Sequence, residues 1–231
     1  MSTDDDTDGA LDAAALKRIT GHRAAELVED GMRVGLGTGS TVRYTIEALA
    51  DRDLDIVCVP TSIDTTQMGR RLGLRITDPD GVDALDIAID GADEVDPELN
   101  LVKGGGGAHF RERLVAELAE RFVVVVDQSK MVDRLGDFGV PVEVMDFGQD
   151  VVARRLRAEG ARSVLVRAAT SDNGNLILDA DFGLLDDPLD LADRLKAITG
   201  VIAHGIFPGE LVAEVMVARS DGSIDVLTHG T

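Results

Sequence analysis

Met32-Arg-Val-Gly-Leu36, then Gly37-Thr-Gly-Ser-Thr41, then Val42-Arg-Tyr-Thr-Ile-Glu-Ala-Leu49 is the stretch that decides the fold. A short apolar run ends in glycines. Val42, Ile46 and Leu49 then recur at helical spacing. Ile56-Val-Cys-Val-Pro60 follows as a second strand. Strand, glycine turn, helix and strand make a β-α-β unit, in which the two strands run parallel and the helix covers the sheet.

The same alternation extends in both directions. Upstream, Leu11, Ala15, Leu16, Ile19, Ala24, Ala25 and Leu27 mark a helix over 11–29 that Gly31 closes. Downstream the pattern predicts a helix at 65–72, strands at 75–77 and 85–89, a helix at 110–120 and a buried strand at 122–126. Beyond residue 139 the texture changes. A strand at 141–145, a helix at 149–159, a strand at 163–167, an Asn173-Gly174 hairpin into 176–179, a helix at 188–198 and a strand at 201–206 give a β-α-β-β-α-β order, the ferredoxin-like pattern. Strands at 211–218 and 224–227 return to the first unit. The expected fold class is therefore α/β: a Rossmann-like parallel-sheet domain (1–136 plus 207–231) carrying an inserted ferredoxin-like α+β domain (137–206).

Composition narrows the function. The chain has 231 residues, 44% of them hydrophobic, enough for one large domain or a domain plus a small one. No apolar run approaches the ~18 residues of a membrane span. The acidic leader, residues 1–10, has no apolar stretch and reads as a disordered tail, not a signal peptide. The lone Cys58, within Ile56-Val-Cys-Val, reads as a buried apolar filler. A net charge of −20 argues against nucleic-acid partners and anionic membrane surfaces. Only four of the 23 basic residues are lysines: Lys17, Lys103, Lys130 and Lys196. An acid-rich, lysine-poor surface suits a cytoplasm with molar salt, where screening shortens repulsion to ~3 Å.

The chemistry-bearing residues fall where strands give way to loops, the ligand-binding end of open α/β sheets. The Gly37-Thr38-Gly39-Ser40-Thr41 loop follows a strand and opens a helix. Its amides, its hydroxyls and the helix dipole would favour a phosphate; a structural tight turn is the other reading. Ser40 stands where a dinucleotide fingerprint has its third glycine, and no Gly-Lys-Ser/Thr marks a Walker loop. Asp90-Gly-Ala-Asp93-Glu94 directly follows an apolar run, either as ligand-edge carboxylates or as a capped, solvated turn. Lys103 precedes Gly104-Gly105-Gly106-Gly107, where a cation and exposed amides would stabilise an oxyanion; a flexible surface loop is the alternative. Glu112 lies in the first turns of the next helix, as a buried general base or as a solvated residue. No histidine pair has metal-ligand spacing, so no metal requirement is expected.

Taken together, Gly-Thr-Gly-Ser-Thr, Asp-Gly-Ala-Asp-Glu, Lys-Gly-Gly-Gly-Gly-Ala and Arg111-Glu112, with Asp127-x-Ser-Lys130, Pro141-Val-Glu-Val, Ser171-Asp-Asn-Gly-Asn and Gly200-Val, resemble the ribose-5-phosphate isomerase type A family in order and spacing over about 30–207. The resemblance implies an aldose–ketose isomerase for ribose 5-phosphate and ribulose 5-phosphate that works without a cofactor. It implies Glu112 as the base acting between C1 and C2, Lys103 as the oxyanion partner, and Asp90 with Asp93 for ring opening. It further implies Gly37 to Thr41 and Gly104 to Gly106 as ligand loops, Lys130 as a substrate contact and Lys17 as a phosphate contact, in a homodimer or homotetramer. His109-Phe110 departs from the small or aliphatic and Thr or Leu residues of the family. CoA transferases and repressor sensor domains share the general fold. The former would be longer or two-chained, and the latter would need a helix-turn-helix with a basic face. If the charge pattern is a salt adaptation, folding monitored by circular dichroism should collapse below roughly 0.2 M KCl and recover in molar KCl; full folding at low salt would contradict it.

Overall fold

The computed structural model describes residues 11–230; the acidic leader, expected as a disordered tail, lies outside the described residues. Six helices and fourteen strands are present among the described residues. In chain order they are α1 (Ala13–Ala25), β1 (Arg33–Leu36), α2 (Ser40–Ala50), β2 (Val57–Pro60), α3 (Ile63–Arg71), β3 (Arg75–Ile76), β4 (Ile87–Asp90), β5 (Glu94–Val95), β6 (Leu101–Val102) and α4 (His109–Leu118). They continue with β7 (Phe122–Asp127), β8 (Val140–Val144), α5 (Gln149–Ala158), β9 (Ser163–Val166), β10 (Leu176–Asp181), α6 (Pro188–Lys196), β11 (Val201–His204), β12 (Ile206–Phe207), β13 (Val212–Ala218) and β14 (Ile224–Leu227).

The main sheet has the order β14-β13-β7-β4-β1-β2-β3, parallel throughout except for the β13–β14 hairpin. A parallel strand covered on both faces reads as a continuous apolar run, which is why Phe122-Val-Val-Val-Val126 forms an interior strand, between β13 and β4. Period two divides that run. Val123 and Val125 join Val34, Leu36, Val42, Ile46, Ile87 and Ile89 under α1 and α2. Phe122, Val124 and Val126 join Val115, Ala116 and Phe207 on the α4 side. Cys58 is fully buried here, and burial pushes its thiol up to about 12, so it packs as an apolar side chain.

A second sheet, order β11-β8-β10-β9, is antiparallel and carries α5 and α6, the ferredoxin-like arrangement. Val140, Val142 and Val144 point from β8 into its core with Leu156, Leu191 and Leu195. Between the two sheets lies a small third one, β12-β6-β5, whose two-residue strands carry no periodicity to read. It changes the expected 201–206 strand, which breaks at Gly205. There the chain passes against the Lys103 backbone, so closely that a Cβ would sit 2.2 Å from the Lys103 carbonyl. Gly205 donates to the Pro141 carbonyl and accepts from the Lys103 amide, both at 2.8 Å, which takes Ile206 and Phe207 out of line with β11. Two other boundaries also differ. α1 ends at Ala25, not near 29, because Leu27 and Val28 close on carbonyls three residues back and Val28 turns inward. The first arm of the Asn173-Gly174 hairpin, expected to reach about residue 170, ends at Val166, and residues 167–175 connect it to β10.

Among the described residues no helix is long and apolar enough to cross a membrane. One packing contact governs the edge of the ligand region. Gly21 of α1 lies on α2 so tightly that a Cβ would meet the Tyr44 Cβ at 2.7 Å and the Thr41 carbonyl at 2.8 Å. Lys17, four residues earlier on the same face, is thereby held over the start of α2. A Gly21→Val substitution should lower stability by about 1–3 kcal/mol in a denaturant titration; an unchanged midpoint would show that the helices can separate freely.

Candidate active site

The carboxyl ends of β1, β4 and β7 lie side by side, in the register Leu36–Ile89 and Asp90–Val124. Beyond them opens a cavity of about 190 Å³. One wall is the start of α2. Gly39, at φ +121°, caps that helix in a conformation that favours glycine, and Ser40 begins it. The first-turn amides of a helix lack intrahelical acceptors and attract anions. Thr38, Gly39, Ser40 and Thr41 line this wall, with Lys17 and Lys130 also in the lining.

The loop is fastened from behind. The Thr38 amide donates to Asp90 Oδ1 at 2.9 Å, and the Thr38 and Thr61 hydroxyls are 2.8 Å apart. Thr65 donates its hydroxyl to the Gly37 carbonyl at 2.8 Å. Gly37 is a glycine for a steric reason: a Cβ there would lie 2.2 Å from the Asp90 carboxyl.

The opposite wall is Asp93, Lys103, Gly104 to Gly106, and Glu112. Lys103 follows β6, and its amide is tied to Gly205. Its Nζ lies 3.1 Å from Asp90 Oδ2 and 3.7 Å from Glu112 Oε1, and it donates to the Gly91 carbonyl. All three side chains are at most 5% exposed. Burial alone would lower the Lys103 ammonium, but Asp90 and Glu112 outweigh it and its pKa is raised. Glu112 behaves in the opposite sense. Burial pushes its carboxyl up to about 8, against the pull of Lys103 and with the help of Asp90 and Asp93. Its Oε2 is buried with no hydrogen-bond partner among the described residues. A carboxyl with a pKa near neutrality and an uncommitted oxygen beside an ammonium can take a proton from a carbon acid while the cation holds the charge that develops.

Of the residues singled out in the sequence, twelve of the fourteen line this cavity. Gly37 and Asp90 do not. Asp90, 2% exposed, sits behind Lys103 and braces both Lys103 and the Thr38 loop. Asp93 faces the cavity and accepts from the Gly105 amide at 2.8 Å. Glu94, in the same acidic motif, turns away and receives the Gly136 and Phe138 amides, both at 2.7 Å. His109 is fully buried, and burial lowers it to about 4, so it stays neutral under α4. Sequence reasoning missed the Thr61 and Thr65 hydroxyls, Glu94 as a loop anchor, and Arg167, whose guanidinium reaches the Gly104 and Gly105 carbonyls. Their partners are distant in sequence; Glu94 stands in a flagged motif, but nothing local marks it as an anchor, and no motif flags the other three. Among the described residues no group of three or more His, Cys, Asp or Glu side chains is arranged to hold a metal ion.

Comparison with known proteins bears on this site. The family model described as ribose 5-phosphate isomerase A (phosphoriboisomerase A) matches residues 57–222. The ribose-5-phosphate isomerase A of Streptococcus thermophilus is 44% identical over 216 residues, covering 90% of this chain and 95% of that protein. That of Methanosarcina acetivorans is 45% identical, covering 92% and 94%. The crystal structure of ribose 5 phosphate isomerase A from Neisseria gonorrhoeae superposes with a TM-score of 0.92 at 36% identity, over 96% of this chain and all of that one. A D-ribose-5-phosphate isomerase in complex with phospho-erythronic acid superposes with a TM-score of 0.90 at 38% identity, over 95% and 100%.

Proposed function

The chain belongs to the ribose 5-phosphate isomerase A family, and from that premise we infer that it is an aldose–ketose isomerase interconverting D-ribose 5-phosphate and D-ribulose 5-phosphate. The observation that carries the reading at the level of residues is the buried Glu112 carboxyl beside Lys103, at one end of a cavity whose other end is a helix start flanked by lysines. The substrate phosphate binds at Gly39 to Thr41, with Lys17 and Lys130 as its cations, and the sugar extends toward Glu112. Asp93, facing the cavity, takes the ring-opening role; Asp90, behind Lys103, orients the ammonium.

Ionised Glu112 removes the C2 proton of the open-chain aldose, and the electron pair passes to the C1 carbonyl oxygen. Lys103 stabilises the resulting enediolate. A proton moves from O2 to O1, Glu112 returns its proton to C1, and the ketone stands at C2. The negative charge moves between Glu112 and the substrate oxygen while Lys103 stays beside both positions, so little charge reorganisation is required. Glu112 carries the proton between C2 and C1, and no cofactor enters this scheme.

We also propose a division into a main domain (1–136 plus 207–231) and a ferredoxin-like one (137–206), supported by their separate apolar cores. A cytoplasmic location and a halophilic, haloarchaeal-type source are supported by the −20 charge and the scarcity of lysine. A homodimer or homotetramer is supported by the exposed apolar side chains Phe147, Leu165 and Val166.

The test is ribulose 5-phosphate formation from ribose 5-phosphate in ~2–3 M KCl with EDTA. Wild type should turn over, and Glu112→Gln should lose on the order of 10²–10⁴ in kcat; near-wild-type kcat in the variant would overturn the assignment of the base. The base must be ionised to act, and its proton leaves only as the pH approaches about 8. Wild-type kcat/KM should therefore climb roughly tenfold per pH unit below that value and level off above it. A profile already flat from pH 5.5 would contradict a raised carboxyl.

A further inference from the structure

Arg167 lies just past β9, outside the cavity lining, yet its guanidinium is aimed at the substrate loop. Two of its nitrogens are committed to Asp179 of β10: Nε donates to Oδ2 at 3.0 Å and Nη2 to Oδ1 at 2.5 Å, a fork-on-fork pair. Its remaining terminal nitrogen, Nη1, donates to the Gly104 carbonyl at 2.8 Å and the Gly105 carbonyl at 3.2 Å. The guanidinium is planar and its Asp179 contact fixes its orientation, so these two carbonyls are held by a rigid donor rather than a mobile one.

The consequence follows from peptide geometry. In a trans peptide the N–H points opposite to the preceding C=O. The Gly104 carbonyl faces Arg167, and the Gly105 amide on the other side of that peptide reaches Asp93, a cavity residue, at 2.8 Å. The Gly105 carbonyl also faces Arg167. The Gly106 amide must then point to the same side as the Gly105 amide, toward the cavity that Gly106 lines. The Gly105 amide is also held by Asp93 and the Gly104 carbonyl by the Gly107 amide at 3.0 Å. Among the side-chain contacts of the described residues, however, only Arg167 reaches the Gly105 carbonyl, whose peptide carries the Gly106 amide, and glycine itself tolerates nearly every backbone conformation. The four-stranded inserted sheet supports the loop at a second point: the Ile177 side chain of β10 would meet a Cβ on Gly107 at 3.2 Å.

We propose that Arg167, anchored by Asp179, is a positioning residue for the isomerisation: it fixes the Gly104–Gly105–Gly106 peptide planes so that the Gly106 amide is presented to the substrate oxygens beside Lys103. The proposal rests on the isomerase reading of the cavity. It gives the inserted sheet a part in the chemistry that its apolar core alone does not indicate.

Arg167→Met, which keeps the length and removes the donors, and Asp179→Asn, which removes the anchor, are compared with wild type in the full-length protein in molar KCl. The readouts are kcat and KM for ribose 5-phosphate, the inhibition constant of inorganic phosphate, and the denaturation midpoint. Arg167→Met should lose roughly 10- to 100-fold in kcat, the range left by losing an oriented donor, with phosphate inhibition within about twofold of wild type, since the phosphate subsite is on the other wall. Asp179→Asn should lose less, and the double variant no more than Arg167→Met alone. A folded Arg167→Met enzyme with kcat within about twofold of wild type would overturn the proposal, as would a loss of kcat matched by an equal loss of phosphate binding. If Arg167→Met does not fold, wild-type kcat in Asp179→Asn overturns it by itself. Glu112→Gln assayed in parallel separates the two levels: inactive Glu112→Gln with normal Arg167→Met rejects only the positioning role, whereas active Glu112→Gln rejects the reading beneath it.

Discussion

An ammonium at 2% exposure, flanked by one carboxylate at 3.1 Å and another carboxyl at 3.7 Å, is the constraint around which the rest of the structure is arranged. A charge taken out of water costs several kcal/mol unless it is paired. Lys103 and Asp90 satisfy each other. The third group, Glu112, is held neutral near pH 7 chiefly by its burial, which outweighs the pull of Lys103, with the nearby Asp90 and Asp93 acting in the same sense as burial. The instability of that extra charge is what makes the group useful. A carboxyl that gives up its proton only near pH 8 takes one back readily, and in the proposed isomerisation the substrate oxygens beside Lys103 provide an alternative home for the negative charge.

Holding three ionisable groups at that spacing explains much of the surrounding backbone. Asp90 ends a central parallel strand, Lys103 leaves a two-residue strand, and Glu112 rises from the first turn of α4. No two of them share an element, so their geometry depends on the packing between elements. Gly37 must lack a side chain for Asp90 to reach Thr38 and Lys103, and Gly205 must lack one for β6 to be held at the right depth. Glu94 fastens the 136–138 turn, and Glu143, fully buried, gathers Ser171, Asn173 and Asn175. These buried carboxylates are anchors, in the same fold in which Glu112 is kept reactive by being left without such partners.

The contrast also explains what could be read in the amino-acid order. The β-α-β unit around Gly37 was legible because apolar runs, glycines and helical spacing are local signals. The run at 122–126 marked a buried strand for the same reason. The Asp90 motif could be placed at a sheet edge because it directly follows the apolar run at 85–89. Strands β5, β6 and β12 could not be seen, since two residues carry no period, and so the break at Gly205 was hidden. That Asp90 would stand behind Lys103 while Asp93 faced the cavity depends on how a hairpin folds over a strand end, which the Asp-Gly-Ala-Asp spacing leaves open. Arg167 and Glu143 were invisible because their partners lie from about thirty to over sixty residues away.

The most direct test of the central claim is the titration of the Glu112 carboxyl itself. Protein labelled with carbon-13 at the glutamate side-chain carboxyl, followed by NMR across pH in molar KCl, gives one curve per carboxyl, and Glu112→Gln identifies which curve to read. The account predicts one carboxyl that titrates near pH 8 and disappears in the variant. If every glutamate titrates within the ordinary range around 4–5, Glu112 is not held neutral by its burial beside Lys103 and Asp90, and the account of the site is wrong.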